Sequence, residues 1–148
     1  MKAVLLSGGP HFPGPVVVDG VTALVKAGYD VTYVSWSGPS QALVDAVSSV
    51  VVLGRVPAGG EGQRAPVPPR SQLQRRVRQA RTVLRRQPSR MWSAVRRRRD
   101  VRDAVDSADL LVAVDSQAIL ACWRLAREHP QVEAVYGIAA ALITAPRP

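Results

Sequence analysis

Short apolar runs alternate with helically periodic stretches from one end of this 148-residue chain to the other. Lys2-Ala3-Val4-Leu5-Leu6-Ser7 is apolar at successive positions and is stopped by Gly8 and Gly9, which predicts a strand buried on both faces. Val16 to Ala27 carries Val17, Val21, Leu24 and Val25 at helical spacing. Pro15 suits the first turn of that helix, and Gly28 stands where a left-handed cap belongs. Val31 to Ser35 is β-branched and aromatic, a second strand. Strand, glycine-rich loop, helix and strand in that order predict a parallel crossover unit.

The alternation continues. Gln41 to Val47 reads as a short helix and Val50 to Leu53 as a third buried strand. Pro57 to Pro69 is an irregular loop rich in proline and glycine. From Ser71 the pattern is helical, with Leu73, Val77, Ala80 and Leu84 in one stripe, until Pro88 breaks it. A second helix is predicted from Ser89 toward Ser107, returning Val101, Ala104, Val105 and Ala108 to the core. Leu110 to Val114 is a fourth strand, and Gln117 to Glu128 a helix with Ile119, Leu120, Trp123 and Ala126 in one stripe. Glu133 to Tyr136 is a fifth strand, cut by Gly137. The prediction is one α/β domain over 1–148: an open, doubly wound, mostly parallel sheet of about five strands, with an Arg-rich helical insertion over 70–102.

Composition removes several function classes. One cysteine, Cys122, excludes an internal disulfide framework, and two histidines, His11 and His129, leave little for a histidine-built metal centre. The apolar run at the N-terminus ends after four residues, short of the 7–15 or so of a signal peptide. The run from Ala134 to Ala145 falls short of the ~20 residues needed to span a bilayer. The chain therefore reads as cytoplasmic, at most peripheral to the inner face of a membrane.

Charge is concentrated in one place. Twenty Lys+Arg face eleven Asp+Glu, for +9, but thirteen of the eighteen arginines lie between Arg70 and Arg102, where Asp100 is the only acid. Arg75, Arg78, Arg85 and the run Arg96, Arg97, Arg98, Arg99 are the candidates for binding an anionic surface, with Met91 and Trp92 as an insertable pair. A solvated helix face explains the same residues equally well. Nucleic-acid binding has no support beyond charge, because aromatics are 5% and no reading module is present.

Ligands of doubly wound sheets bind at the carboxyl ends of the strands. Ser7 to His11, Ser35-Trp36-Ser37, Gly54-Arg55, Asp115-Ser116 and Tyr136-Gly137 all fall there. Gly8, Gly9 and Gly14 could present bare N–H groups to a phosphate, or serve only a tight turn and close helix–strand packing. The spacing is neither the dinucleotide fingerprint nor a Walker loop. His11 and Asp115 are the candidates for acid–base work. Asp115 and Ser116 equally suit an N-cap, which is the stronger reading. Ser35, Trp36, Ser116 and Tyr136 line the cleft edge. No nucleophilic triad and no metal-ligand cluster is present.

The first strand, the glycine loop and the stretch Gly20-Val21-Thr22-Ala23-Leu24-Val25-Lys26-Ala27-Gly28-Tyr29-Asp30-Val31-Thr32-Tyr33-Val34 resemble the opening of GT-B glycosyltransferases. Ala108 to Asp115 is similar to the strand those enzymes place before their cleft. The resemblance implies a Rossmann-like, acceptor-side N-terminal domain of a family 4-like enzyme. Gly8, Gly9 and Gly14 would then reach toward the phosphates of a nucleotide-sugar donor. It also implies a C-terminal donor-binding domain or a separate donor-domain chain as partner. The donor-binding half and its acidic motif are not in this sequence, so no cofactor is expected on this chain alone and no sugar transfer without that partner.

Overall fold

The structure is a computed structural model and describes residues 1–9, 14–36, 38–54 and 89–144. Strands β1 (Lys2–Ser7), β2 (Asp30–Ser35), β3 (Ser49–Val52), β4 (Leu110–Ala113) and β5 (Glu133–Tyr136) form one sheet in the order β3-β2-β1-β4-β5. Every neighbouring pair is parallel. Helices are α1 (Pro15–Lys26), α2 (Gln41–Ala46), α3 (89–95), α4 (Arg99–Asp106), α5 (Ile119–Glu128) and α6 (Ile138–Thr144). This is a Rossmann-like α/β fold, as the alternation of the sequence predicts.

Ala3 to Leu6 of β1 and Leu110 to Ala113 of β4 are apolar at successive positions because both faces are covered. Val4, Leu6, Val34, Leu111 and Ala113 pack on one side against Met91, Trp92 and Val95 of α3, Val101 and Val105 of α4, and Ala121, Cys122 and Leu125 of α5. Ala3, Leu5, Val31, Tyr33, Leu110 and Val112 pack on the other against Val21 and Leu24 of α1, Leu43 of α2 and Ala141 of α6. Gly28 ends α1 as its position predicts. At φ 88° it turns the chain so that its own N–H reaches the Val25 carbonyl (3.0 Å) and the Tyr29 N–H reaches that of Leu24 (3.1 Å). The edges are less covered: β3 is only half-buried and most of β5 is exposed, so Val50 to Leu53 is not the fully buried strand its composition predicts.

Three further expectations are corrected. The predicted helix from Ser89 to Ser107 is two helices, separated by a turn at 96–98. Four adjacent guanidinium groups repel one another along a continuous helix. In the turn, Arg98 instead folds back on Asp100, Nε to Oδ1 at 3.0 Å and Nη2 to Oδ2 at 2.6 Å. Its Nη1 also reaches the Val52 carbonyl at the end of β3 (3.4 Å). That ion pair holds the Asp100 carboxyl below its usual range. The described part of the Arg-rich segment is thus the β3-to-β4 crossover packed on the sheet, not an appended insertion. Arg75, Arg78, Arg85 and the loop 57–69 lie outside the described residues. Second, Met91 and Trp92 are core side chains (1% and 9% exposed) and offer nothing for a membrane to take up. Third, α5 turns Ala121, Cys122 and Leu125 inward, leaving Ile119 and Trp123 exposed; small side chains let the helix sit close to β4. Arg127 covers the Trp123 ring at 4.9 Å.

Burial raises the Cys122 thiol to about 11, against a smaller opposing pull from the Ala113 backbone. A raised thiol value stabilises the fold below the ordinary value of 9.0, and that contribution is lost as pH rises toward about 11. Cys122 should therefore resist a thiol reagent at pH 8 in native buffer and react fully in urea. The urea midpoint should fall between pH 9 and 11 more steeply in the native chain than in Cys122→Ala. Equal slopes would remove the thiol as the cause.

Candidate functional site

Register fixes where the strands end. Ser7 lies opposite Ser35, Ser35 opposite Val52, Leu6 opposite Ala113, and Ala113 opposite Tyr136, so the loops that follow share one edge of the sheet. The strand order reverses between β1 and β4, and this crevice is where a doubly wound sheet ordinarily takes its ligand.

Here one side chain ties the two flanking loops together. Asp115, one residue beyond Val114, turns its carboxylate across to the end of β1. Its Oδ2 accepts from the Ser7 hydroxyl (2.9 Å), the Gly8 N–H (2.9 Å) and the Gly9 N–H (3.1 Å). Its Oδ1 accepts from the N–H groups of Gln117 (2.9 Å) and Ala118 (3.1 Å) in the turn that leads into α5. A carboxylate offers about four lone-pair sites, and these five bonds engage both oxygens. The same side chain thus caps the turn before α5 and satisfies the glycine loop. Gly8 and Gly9 direct their N–H groups at a fixed internal anion, in the place where the resemblance puts a donor phosphate.

Close packing reinforces this tie. A Cβ on Gly8 would stand 2.7 Å from Gln117 Cβ, 3.0 Å from Met91 Sδ and 3.1 Å from the Gln117 carbonyl carbon. Gly8 is therefore needed for contact with the β4–α5 turn, and its φ is not left-handed. Beneath the loop the Tyr33 side chain is fully buried, and its hydroxyl has no hydrogen-bond partner among the described residues. Burial pushes the Tyr33 phenol above its usual 10.0, the Ser7 hydroxyl pulls the other way, and the Asp115 charge adds to the rise.

Among the other predicted residues that the structure describes, none donates to Asp115. Gly14 is the N-cap residue of α1, and its carbonyl accepts from Val17 (2.9 Å). Ser35 is buried, Ser116 exposed, and Tyr136 exposed at the far edge of the sheet. His11 lies outside the described residues. Arg99 makes only a loose, exposed pair with Asp103 (3.8 Å). His129 ends α5 with its Nδ1 2.9 Å from Asp106 Oδ1. No group of three or more His, Cys, Asp or Glu is placed to hold a metal among the described residues, and no described helix is long and apolar enough to cross a membrane.

Trp36 belongs to a second feature. Together with Ser89, Arg90, Ser93, Ala94 and Arg97 it lines an open groove of about 270 Å³ next to the end of β2. The five residues from 89 onward lie on the side of α3 and its following turn opposite Met91, Trp92 and Val95. Sequence reading placed Trp36 and Arg97 in different roles and passed over Arg90. The available signal was the polar spacing 89, 90, 93, 97 around a buried 91, 92, 95.

Protein-family models, curated proteins and solved structures were compared with this chain, and none matches it.

Proposed function

We propose that this chain is the acceptor-side domain of a sugar-transfer enzyme, working with a second domain that holds the nucleotide-sugar donor. One observation carries the reading: the glycine-loop N–H groups, which in a nucleotide-holding domain of this fold face phosphate, are taken by Asp115. A glycine loop occupied in this way leaves the donor to its partner. The fold is compatible with a transferase-like domain, and the groove beside Trp36 offers an acceptor room on the same edge. In this reading Asp115 positions the loop rather than moving a proton, and His11 is the remaining candidate base. A membrane-surface role would have to rest on exposed arginines alone, since Met91 and Trp92 are in the core.

The test is complementation. The chain should bind no nucleotide-sugar by itself, and transfer should appear only when a Rossmann-like donor-binding domain is supplied, with product followed by mass spectrometry. Tight binding of a nucleotide-sugar to the isolated chain, or failure with every matched donor domain, would sink the proposal.

A further inference from the structure

The groove beside Trp36 is a built cationic and aromatic surface. Arg90, on α3, and Arg97, in the turn that follows it, both line it. Both are exposed, and neither guanidinium has an ion-pair or hydrogen-bond partner among the described residues, whereas those of their neighbours Arg98 and Arg99 are matched to Asp100 and Asp103. Two uncompensated positive charges therefore face one depression. Ser93 lies between them in the chain and gives its proton to the Ser89 carbonyl (2.8 Å), which leaves its oxygen lone pairs as acceptors for a ligand hydroxyl.

The backbone that carries the aromatic wall is held in place. The Trp36 backbone N–H donates to the Ser7 carbonyl (3.2 Å), and the Gly54 N–H donates to the Trp36 carbonyl (3.1 Å). A Cβ on Gly54 would collide with that carbonyl oxygen and lie 3.4 Å from the indole Nε1. The absent side chain at 54 is what lets the two backbones approach so closely. The result is an aromatic ring, a hydroxyl acceptor and two free guanidinium forks lining one groove.

We infer that this groove binds the phosphate ester of a ring polyol, a sugar or cyclitol phosphate. The apolar face of the ring packs on Trp36, a hydroxyl donates to Ser93, and the phosphate sits between Arg90 and Arg97. A phosphomonoester carries close to two negative charges at pH 7, matching the two guanidinium groups. Planar forks suit its oxygens better than point charges do. The inference rests on the acceptor-side reading for its enzymatic meaning, naming the acceptor class, but the binding itself is measurable without any donor domain.

The test is a titration followed by tryptophan fluorescence and calorimetry, with glucose 6-phosphate, glucose and inorganic phosphate as probes. Glucose 6-phosphate should bind and perturb the Trp36 emission, a signal absent from Trp36→Phe, and should bind at least about ten-fold more tightly than glucose or inorganic phosphate. Arg90→Gln and Arg97→Gln should each weaken it about ten-fold or more. Both positions are exposed, so an unchanged urea midpoint certifies the fold. A second arm uses phosphatidylcholine vesicles with and without phosphatidylinositol 4-phosphate. Selective sedimentation with the latter, lost in Arg90→Gln/Arg97→Gln, identifies a lipid-borne headgroup as the source of the same chemistry. Equal affinity of glucose and glucose 6-phosphate, or unchanged binding in the double variant, overturns the inference. If binding is found but complementation fails, the site stands without the acceptor-side reading; transfer to unphosphorylated acceptors alone leaves that reading and removes the site.

Discussion

Asp115→Ala should lower the stability of the chain by roughly 2–4 kcal/mol, the largest effect expected of any polar substitution in it. The carboxylate accepts five hydrogen bonds, four from backbone N–H groups that belong to two different loops. Removing it leaves those donors without the acceptor that draws the end of β1 toward the turn before α5, and it also removes a cap. Asp115→Asn separates the contributions. It keeps one carbonyl oxygen but aims an NH₂ group at whichever donors remain, so it should lose about half as much. Acetate or formate should raise the urea midpoint of Asp115→Ala and not that of the native chain, because a small carboxylate can fill the vacated position and bind only the folded state. A variant that unfolds within about 0.5 kcal/mol of the native chain would show that the junction does not depend on this side chain.

Gly8→Ala should cost about 2–3 kcal/mol, and for a purely spatial reason. The new methyl group meets Gln117 Cβ and the Gln117 backbone, and only the Met91 thioether can give way. Gly9→Ala is the internal control. Its Cβ finds only Asp115 Oδ2 at 3.5 Å, an ordinary contact, so it should change stability by less than about 0.5 kcal/mol. Both Gly8→Ala and Asp115→Ala act on the same junction. Their combination should therefore cost less than the two separately, by an amount that equilibrium unfolding of the double variant measures. Additivity would mean that the clamp and the close packing are independent.

Much of the fold was legible because strands buried on both faces leave a run of consecutive apolar residues, and helices capped by glycine leave a stop. β1, β2, β4 and β5 fall within a residue of their predicted spans, and Gly28 ends α1 as expected. Helix α6 was not legible. Ile138 to Thr144 has no polar face to give it a period, and it merges in the sequence with β5, from which Gly137 at φ 84° separates it. The inward face of α5 was misread because its large residues, Ile119 and Trp123, lie outward while alanine and cysteine make the contact. Composition weights size, whereas close approach to a sheet favours small side chains.

The site was legible by position and not by role. Placing Gly8, Gly9 and Asp115 at the carboxyl edge follows from the strand pattern alone. That one residue's carboxylate spans to the others depends on β1 and β4 being neighbours, a contact 106 to 108 residues apart in the chain. Nothing local to either loop announces it. The arginines show the same division. Their charge is evident from the sequence, but only the turn at 96–98 separates Arg98, tied to Asp100, from Arg97, facing a groove.

The central claim is that the glycine loop is held by Asp115 and is not a phosphate site in this domain. The most direct measurement is a ¹⁵N-amide NMR titration of the native chain with uridine diphosphate. The account predicts that the Gly8, Gly9, Gln117 and Ala118 resonances stay in place up to millimolar nucleotide. Saturable shifts of the Gly8 and Gly9 amides at micromolar nucleotide would show that phosphate displaces the carboxylate, and would make this chain a nucleotide-holding domain in its own right.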